Sequence, residues 1–174
     1  MKDLKEYISE TLNESIFDKD LIAKNVIEDK PKTKIELIRA ISKYIEITKP
    51  KKGDTINLNW LDVSKIKDLG AVFDGRGREV YSTCNFDVSE WDVSNCENFT
   101  GMFQMAKAFN CDLSKWDVSS ATHMGWMFQG AKEFKGEGLE NWKVPGNCFY
   151  TGMFRKSGVT EKNAPSWANK WTFK

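Results

Sequence analysis

From Leu58 onward the apolar residues fall into columns that recur along the chain. Trp91, Trp116 and Trp142 are 25 and 26 residues apart, as are Phe103, Phe128 and Phe154, and each Phe follows its Trp by 12. An earlier copy has Leu61 at the Trp position and Phe73 again 12 residues on. Four copies align this way. They are Leu58, Leu61, Val63, Ile66, Leu69, Val72 and Phe73; then Val88, Trp91, Val93, Cys96, Phe99, Met102 and Phe103; then Leu113, Trp116, Val118, Ala121, Met124, Met127 and Phe128; then Leu139, Trp142, Val144, Asn147, Tyr150, Met153 and Phe154. Asn147 alone breaks the apolar pattern.

The first four positions of each copy, in LNWLDVSKI, VSEWDVSNC, LSKWDVSSA and LENWKVPGN, follow the spacing L-x-x-L-x-L-x-x-N/C. That spacing marks the strand and turn of a leucine-rich repeat. The last three positions are spaced i, i+3, i+4, one face of a helical turn. No copy can bury its apolar face alone, whereas stacked copies share a continuous core. The pattern therefore predicts an α/β protein, a short leucine-rich-repeat-type solenoid of about four strand–turn–helix repeats over residues 56–157.

The flanks differ in pattern. Leu4, Tyr7, Ile8, Leu12 and Ile16 predict an amphipathic N-terminal helix over 1–17, either packed on its own domain or docking on another protein. Residues 18–32 read as a polar linker. Thr33-Lys34-Ile35-Glu36 is a capping box, and Ile35, Leu37, Ile38, Ile41, Tyr44 and Ile45 continue it as a helix. Residues 33–55 are thus a capping helix and turn over the first strand. Trp167 lies 25 beyond Trp142, and with Trp171 and Phe173 it predicts a Trp-rich C-terminal cap over 158–174.

Charge narrows the function classes. The chain has 26 basic and 25 acidic residues in 174. A chain that coats nucleic acid would show a basic excess. No apolar run reaches the ~20 residues of a membrane span, and the opening MKDLKEYISE has the wrong charges for a secretory signal. The expected location is cytoplasmic. Cys84, Cys96, Cys111 and Cys148 form no C-x-x-C pair, which predicts free thiols used as small buried residues. The one histidine, His123, has no nucleophile and acid at motif spacing, and Gly75-Arg76-Gly77-Arg78 lacks the Gly-Lys-Ser/Thr ending of a phosphate loop. The expectation is a protein that is not an enzyme, with no catalytic or metal site and no cofactor.

The stretch FDVSEWDVSNCENFTGMFQMAKAFNCDLSKWDVSSATHMGWMFQGAKEF resembles the BspA-like leucine-rich-repeat surface proteins, whose unit is W-D-V-S … M-F … F-N-x-D-L-S. The resemblance covers residues 56 to about 157 and implies an adhesion or interaction protein. The opening MKDLKEYISETLNESIFD is similar to the leading segment of proteins from large tailed phages of gut bacteria. That similarity implies attachment to a phage assembly through the N-terminal helix, and a location in the host cytoplasm or in a virion.

Alternation along the predicted strands puts three columns on an open face. They are Trp60, Glu90, Lys115 and Asn141; Asp62, Asp92, Asp117 and Lys143; and Ser64, Ser94, Ser119 and Pro145. Each aspartate either accepts N–H groups in its own turn, with the serine two residues on, or joins an acidic stripe facing a basic partner or a cation. The first copy is longer by an insertion, Asp74–Asn85, which carries Arg76, Arg78 and Tyr81. Insertions in repeat arrays project from one edge and often make the contact. The expected function is non-catalytic protein–protein recognition by these columns and this loop. A virion decoration or cargo protein and a host-directed effector are the alternatives. A nucleic-acid partner and membrane insertion are not expected.

Overall fold

The computed structural model describes Lys24 and residues 27–174. The helix expected over 1–17 and much of the 18–32 linker lie outside them. Helix α1 spans Lys34–Thr48. Its start follows the capping logic. Thr33 Oγ1 accepts the Glu36 N–H at 3.2 Å, while the Glu36 carboxylate reaches back to the Lys32 N–H at 2.7 Å. Lys49 ends it in a left-handed conformation, donating its N–H to Ile45 O. The buried face is Leu37, Ala40, Ile41 and Tyr44; Ile35, expected on the apolar stripe, is 64% exposed.

Strand β1 (Thr55–Asn57) pairs in parallel with β2 (Asn85–Asp87), Thr55 opposite Asn85 and Asn57 opposite Asp87. Helix α2 (Glu79–Thr83) lies between them in sequence. Two short 3₁₀ segments, Leu139–Asn141 and Lys170–Phe173, complete the regular structure among the described residues of 27–174.

The expected α/β leucine-rich-repeat solenoid of strand–turn–helix units is not formed. Among the described residues the only sheet has two three-residue strands, and the copies contain no repeated strand and no α-helix at the i, i+3, i+4 positions. Two local causes override the pattern. Asp-Val-Ser bends the chain, because the aspartate side chain accepts the serine N–H and closes a turn where a strand was predicted. Ala71, Gly101, Trp126 and Gly152, each two residues before the copy's Phe, all have φ between 57° and 68°, which an α-helix cannot accommodate.

What forms instead is a series of hydrogen-bonded turns. In the second copy Trp91 donates to Val88 O, Cys96 to Val93 O and Met102 to Phe99 O. The third copy repeats this with Trp116 to Leu113 O, Ala121 to Val118 O and Met127 to Met124 O. Adjacent copies are joined by backbone bonds at matching places. Leu69, Phe99 and Met124 donate to Asn98, His123 and Phe149; Phe73, Phe103 and Phe128 donate to Met102, Met127 and Met153. Isolated parallel bridges run Asp68–Asn98–His123–Phe149.

The core lies inside these turns. Phe73, Phe103, Phe128 and Phe154 stack at 5.4, 5.6 and 6.1 Å between ring centroids, within 14° of parallel. Trp116, Trp142 and Trp167 stack at 6.3 Å. Each repeat indole also satisfies its own polar atom. Nε1 of Trp91, Trp116, Trp142 and Trp167 donates to the carbonyls of Leu58, Val88, Leu113 and Leu139, at 2.8 to 3.0 Å. The C-terminal tail extends this order: Trp171 and Thr172 carbonyls accept the N–H groups of Gly152 and Phe154. The regular element of the tail is the 3₁₀ turn Lys170–Phe173.

Candidate recognition surface

The four cysteines are free and buried. Burial pushes the thiol of Cys96 up to about 11, that of Cys111 to about 12 and that of Cys148 to about 11, and raises Cys84 as well. These sulfurs are packing groups. Among the described residues no three His, Cys, Asp or Glu side chains cluster as metal ligands. No helix among them is long and apolar enough to cross a membrane.

The sequence-predicted columns sit on turns, not on strands. Asp62 and Asp92 each accept both the N–H and the hydroxyl of the serine two residues on, at 3.1 and 2.7 Å for Ser64 and 3.1 and 2.6 Å for Ser94. Asp117 accepts the Ser119 N–H at 2.9 Å. The serine bonds hold the Asp62 and Asp117 carboxyls below the usual range, with nearby Lys143 adding to the effect on Asp117. All three aspartates are exposed, so one carboxylate edge closes the turn and the group still faces solvent. Glu90 and Lys115 form an ion pair across two copies, and Asn141 and Lys143 are exposed on the fourth.

Trp60 does not stand in that row as an open side chain. It is half-buried against Tyr44 of α1, with ring centroids 5.5 Å apart, and its Nε1 donates to Asn57 O. The Asp74–Asn85 insertion keeps Arg76 and Arg78 exposed but ties both to neighbouring groups. Arg76 pairs with Asp74 at 2.6 Å. Arg78 donates to Ser42 of α1 and to the Tyr81 hydroxyl, with its guanidinium 5.2 Å from the Tyr81 ring centre. Tyr81 is buried against Phe73 and Phe86. The insertion therefore joins α1 to the first copy, and its aromatic belongs to the core.

A second exposed edge was not singled out from the sequence. It follows the bridge row Asp68, Asn98, His123 and Phe149. Lys34 pairs with Asp68 at 3.2 Å and Lys67 with Glu97 at 2.9 Å. Asn98 donates to Asp68 at 3.0 Å, and His123 Nδ1 lies 2.9 Å from Thr122 Oγ1. Lys67, Asp68, Glu97, Asn98, Thr122 and His123 line an open groove of about 430 Å³. Beyond it Trp126 (40% exposed) and Phe149 (45%) meet edge to face at 6.2 Å. A sequence signal existed for this edge: Trp126 occupies the position held by Ala71, Gly101 and Gly152 in the other copies. A large aromatic among small residues marks a side chain the packing does not require.

No curated protein and no solved structure matches the chain. A family model does, over residues 42–167, which takes in α1 from Ser42 and all four copies. The chain belongs to the family described as Mycoplasma protein of unknown function, DUF285.

Proposed function

We propose that this chain is a non-catalytic recognition module that binds a protein partner through its exposed turn face. The observation that carries the reading is the state of the Asp62, Asp92 and Asp117 turns. Each carboxylate is fixed by its own serine yet remains exposed, so charge is presented on backbone that is already ordered. A preordered surface loses little entropy on binding. Glu90, Lys115 and Lys143 add charges of both signs beside the aspartates, the mixture found on the polar part of protein interfaces. The likeness of the W-D-V-S copies to BspA-like surface proteins, treated as adhesion or interaction proteins, supports the same reading.

The test is affinity capture followed by binding of the purified captured protein, measured by calorimetry. Wild type is compared with the triple variant Asp62→Lys, Asp92→Lys, Asp117→Lys after circular dichroism shows that the variant is folded. The reading predicts a partner held by wild type and lost by the folded variant. An affinity unchanged by the three substitutions contradicts it.

A further inference from the structure

Three of the four large apolar side chains exposed among the described residues gather at one end of the series of turns. They are Trp126, Phe149 and Trp171, and Trp171 is 50% exposed. Gly152 links them. The Trp126 ring lies over it, since a Cβ there would come within 2.6 Å of Trp126 Cδ1, and the Gly152 N–H donates to Trp171 O at 2.8 Å. Phe149 meets Trp126 edge to face. The core does not require these rings. Trp126 keeps its outward place on a left-handed backbone, φ 57°, which a bulky aromatic residue seldom adopts.

The same end is basic. Residues 149–174 carry Arg155, Lys156, Lys162, Lys170 and Lys174, all exposed, against one acid, Glu161. The whole chain has 26 basic and 25 acidic residues, so the rest of it has acids in excess. Two of the cations stand over the most open ring: Lys174 Nζ is 4.5 Å and Lys170 Nζ 5.2 Å from the Trp171 ring centre. Arg155 donates its N–H to Gly152 O, which keeps it beside the aromatic group. The partner must therefore be anionic and must take up exposed rings. Single-stranded nucleic acid needs ring faces on which successive bases stack. Trp126 and Phe149 are 67° apart, and ammonium groups stand over Trp171. An acidic protein would need a shaped pocket for each ring, because anchors at protein interfaces bind in well-packed pockets. A fluid bilayer surface takes rings at any mutual angle. Its headgroup layer is where indoles settle, and its anionic lipids attract lysines.

We propose that this end of the molecule adsorbs to an anionic lipid bilayer and lies on it without crossing it. Trp126, Phe149 and Trp171 enter the headgroup layer, and Lys170, Lys174 and Arg155 face the lipid phosphates. The aspartates of the turn face take no part, so the two readings fail independently.

The experiment uses the full chain and sedimentation with two kinds of vesicle, phosphatidylcholine alone and phosphatidylcholine with about one third phosphatidylglycerol. Oligo-dT and polyglutamate are the comparisons. The proposal predicts binding to the anionic vesicles, weakened by salt, and none to the neutral ones. Lys170→Gln with Lys174→Gln should weaken it at least about tenfold. Trp126→Gly with Trp171→Ser should weaken it at least about tenfold as well, and should remove the quenching of tryptophan fluorescence by brominated lipid. All four side chains are exposed and glycine suits the left-handed backbone at 126, so both variants keep the fold, which circular dichroism checks. Equal binding to both kinds of vesicle, binding to neither, or binding unchanged in either folded variant overturns the proposal. So does binding of oligo-dT or polyglutamate in place of the vesicles.

Discussion

The column Phe73, Phe103, Phe128 and Phe154 and the row Asp68, Asn98, His123 and Phe149 belong to the same four copies, five residues apart, and they follow opposite rules. In the column the residue is always Phe, almost wholly buried, and stacked on its neighbours nearly parallel. In the row the side chain changes at every step, although the backbone bridges are the same. The main chain supplies the register in both places. Only the column also needs a fixed side-chain shape, because close-packed rings tolerate no change of volume. The row is free to vary, so recognition can be placed there without disturbing the stack.

The sharpest way to break this contrast is to cut the column. Phe128→Ala removes a fully buried ring packed on Phe103, Phe134 and Phe154. It should cost about 3–5 kcal/mol in urea unfolding. His123→Ser, in the exposed row of the same copy, should change stability by about 0.5 kcal/mol or less. Equal losses in the two variants would erase the distinction. A smaller effect is expected from Trp116→Phe, which keeps an aromatic ring but loses the Nε1 donor to Val88 O. That change should cost about 1–3 kcal/mol in the same assay.

Proton linkage tests inside against outside at opposite ends of the pH scale. The buried thiols of Cys96, Cys111 and Cys148 hold their protons up to about 11, 12 and 11. Their unfolded counterparts ionise near 9.0. Their contribution is therefore fully present below pH 9 and is lost as pH rises toward 11 and 12. Melting temperatures should fall across that window, and less steeply in Cys111→Ala. The smallest effect is on the exposed face. Asp62 and Asp117 are held below their ordinary 3.8 by the serine bonds. Their contribution is present above that value and is lost as pH falls through the lowered one. Asp62→Asn with Asp117→Asn should flatten the acid limb of the stability profile and leave the alkaline limb unchanged.

The sequence carried the inner columns well. The Trp and Phe spacings identify residues that are buried in the structure, and Thr33 and Glu36 mark the start of α1. The secondary structure was misread, because an apolar spacing reports which residues face inward and not the backbone path that turns them inward. Asp-Val-Ser turns and left-handed residues such as Ala71 and Trp126 bring the same residues inward without strands or helices. Trp60 and Tyr81 are predicted as open side chains, but both pack, Trp60 against Tyr44 of the helix expected over the first copy and Tyr81 against Phe73 and Phe86. The Trp126 and Phe149 edge was missed for a related reason. Attention to what recurs passes over the single copy that departs from the rule.

The central claim is that backbone bonds between copies, not the exposed side chains, hold the turns in one register. Amide hydrogen exchange tests it most directly, in wild type and in a variant carrying His123→Ser, Trp126→Gly and Phe149→Ser. The N–H groups to follow are those of Phe99, Phe103, Met124 and Phe128, each bonded to the next copy. The account predicts that all four exchange through the same cooperative opening and keep that protection in the variant. Rapid exchange of Phe99 and Met124 in the variant would contradict it, because the outer side chains would then be holding the register.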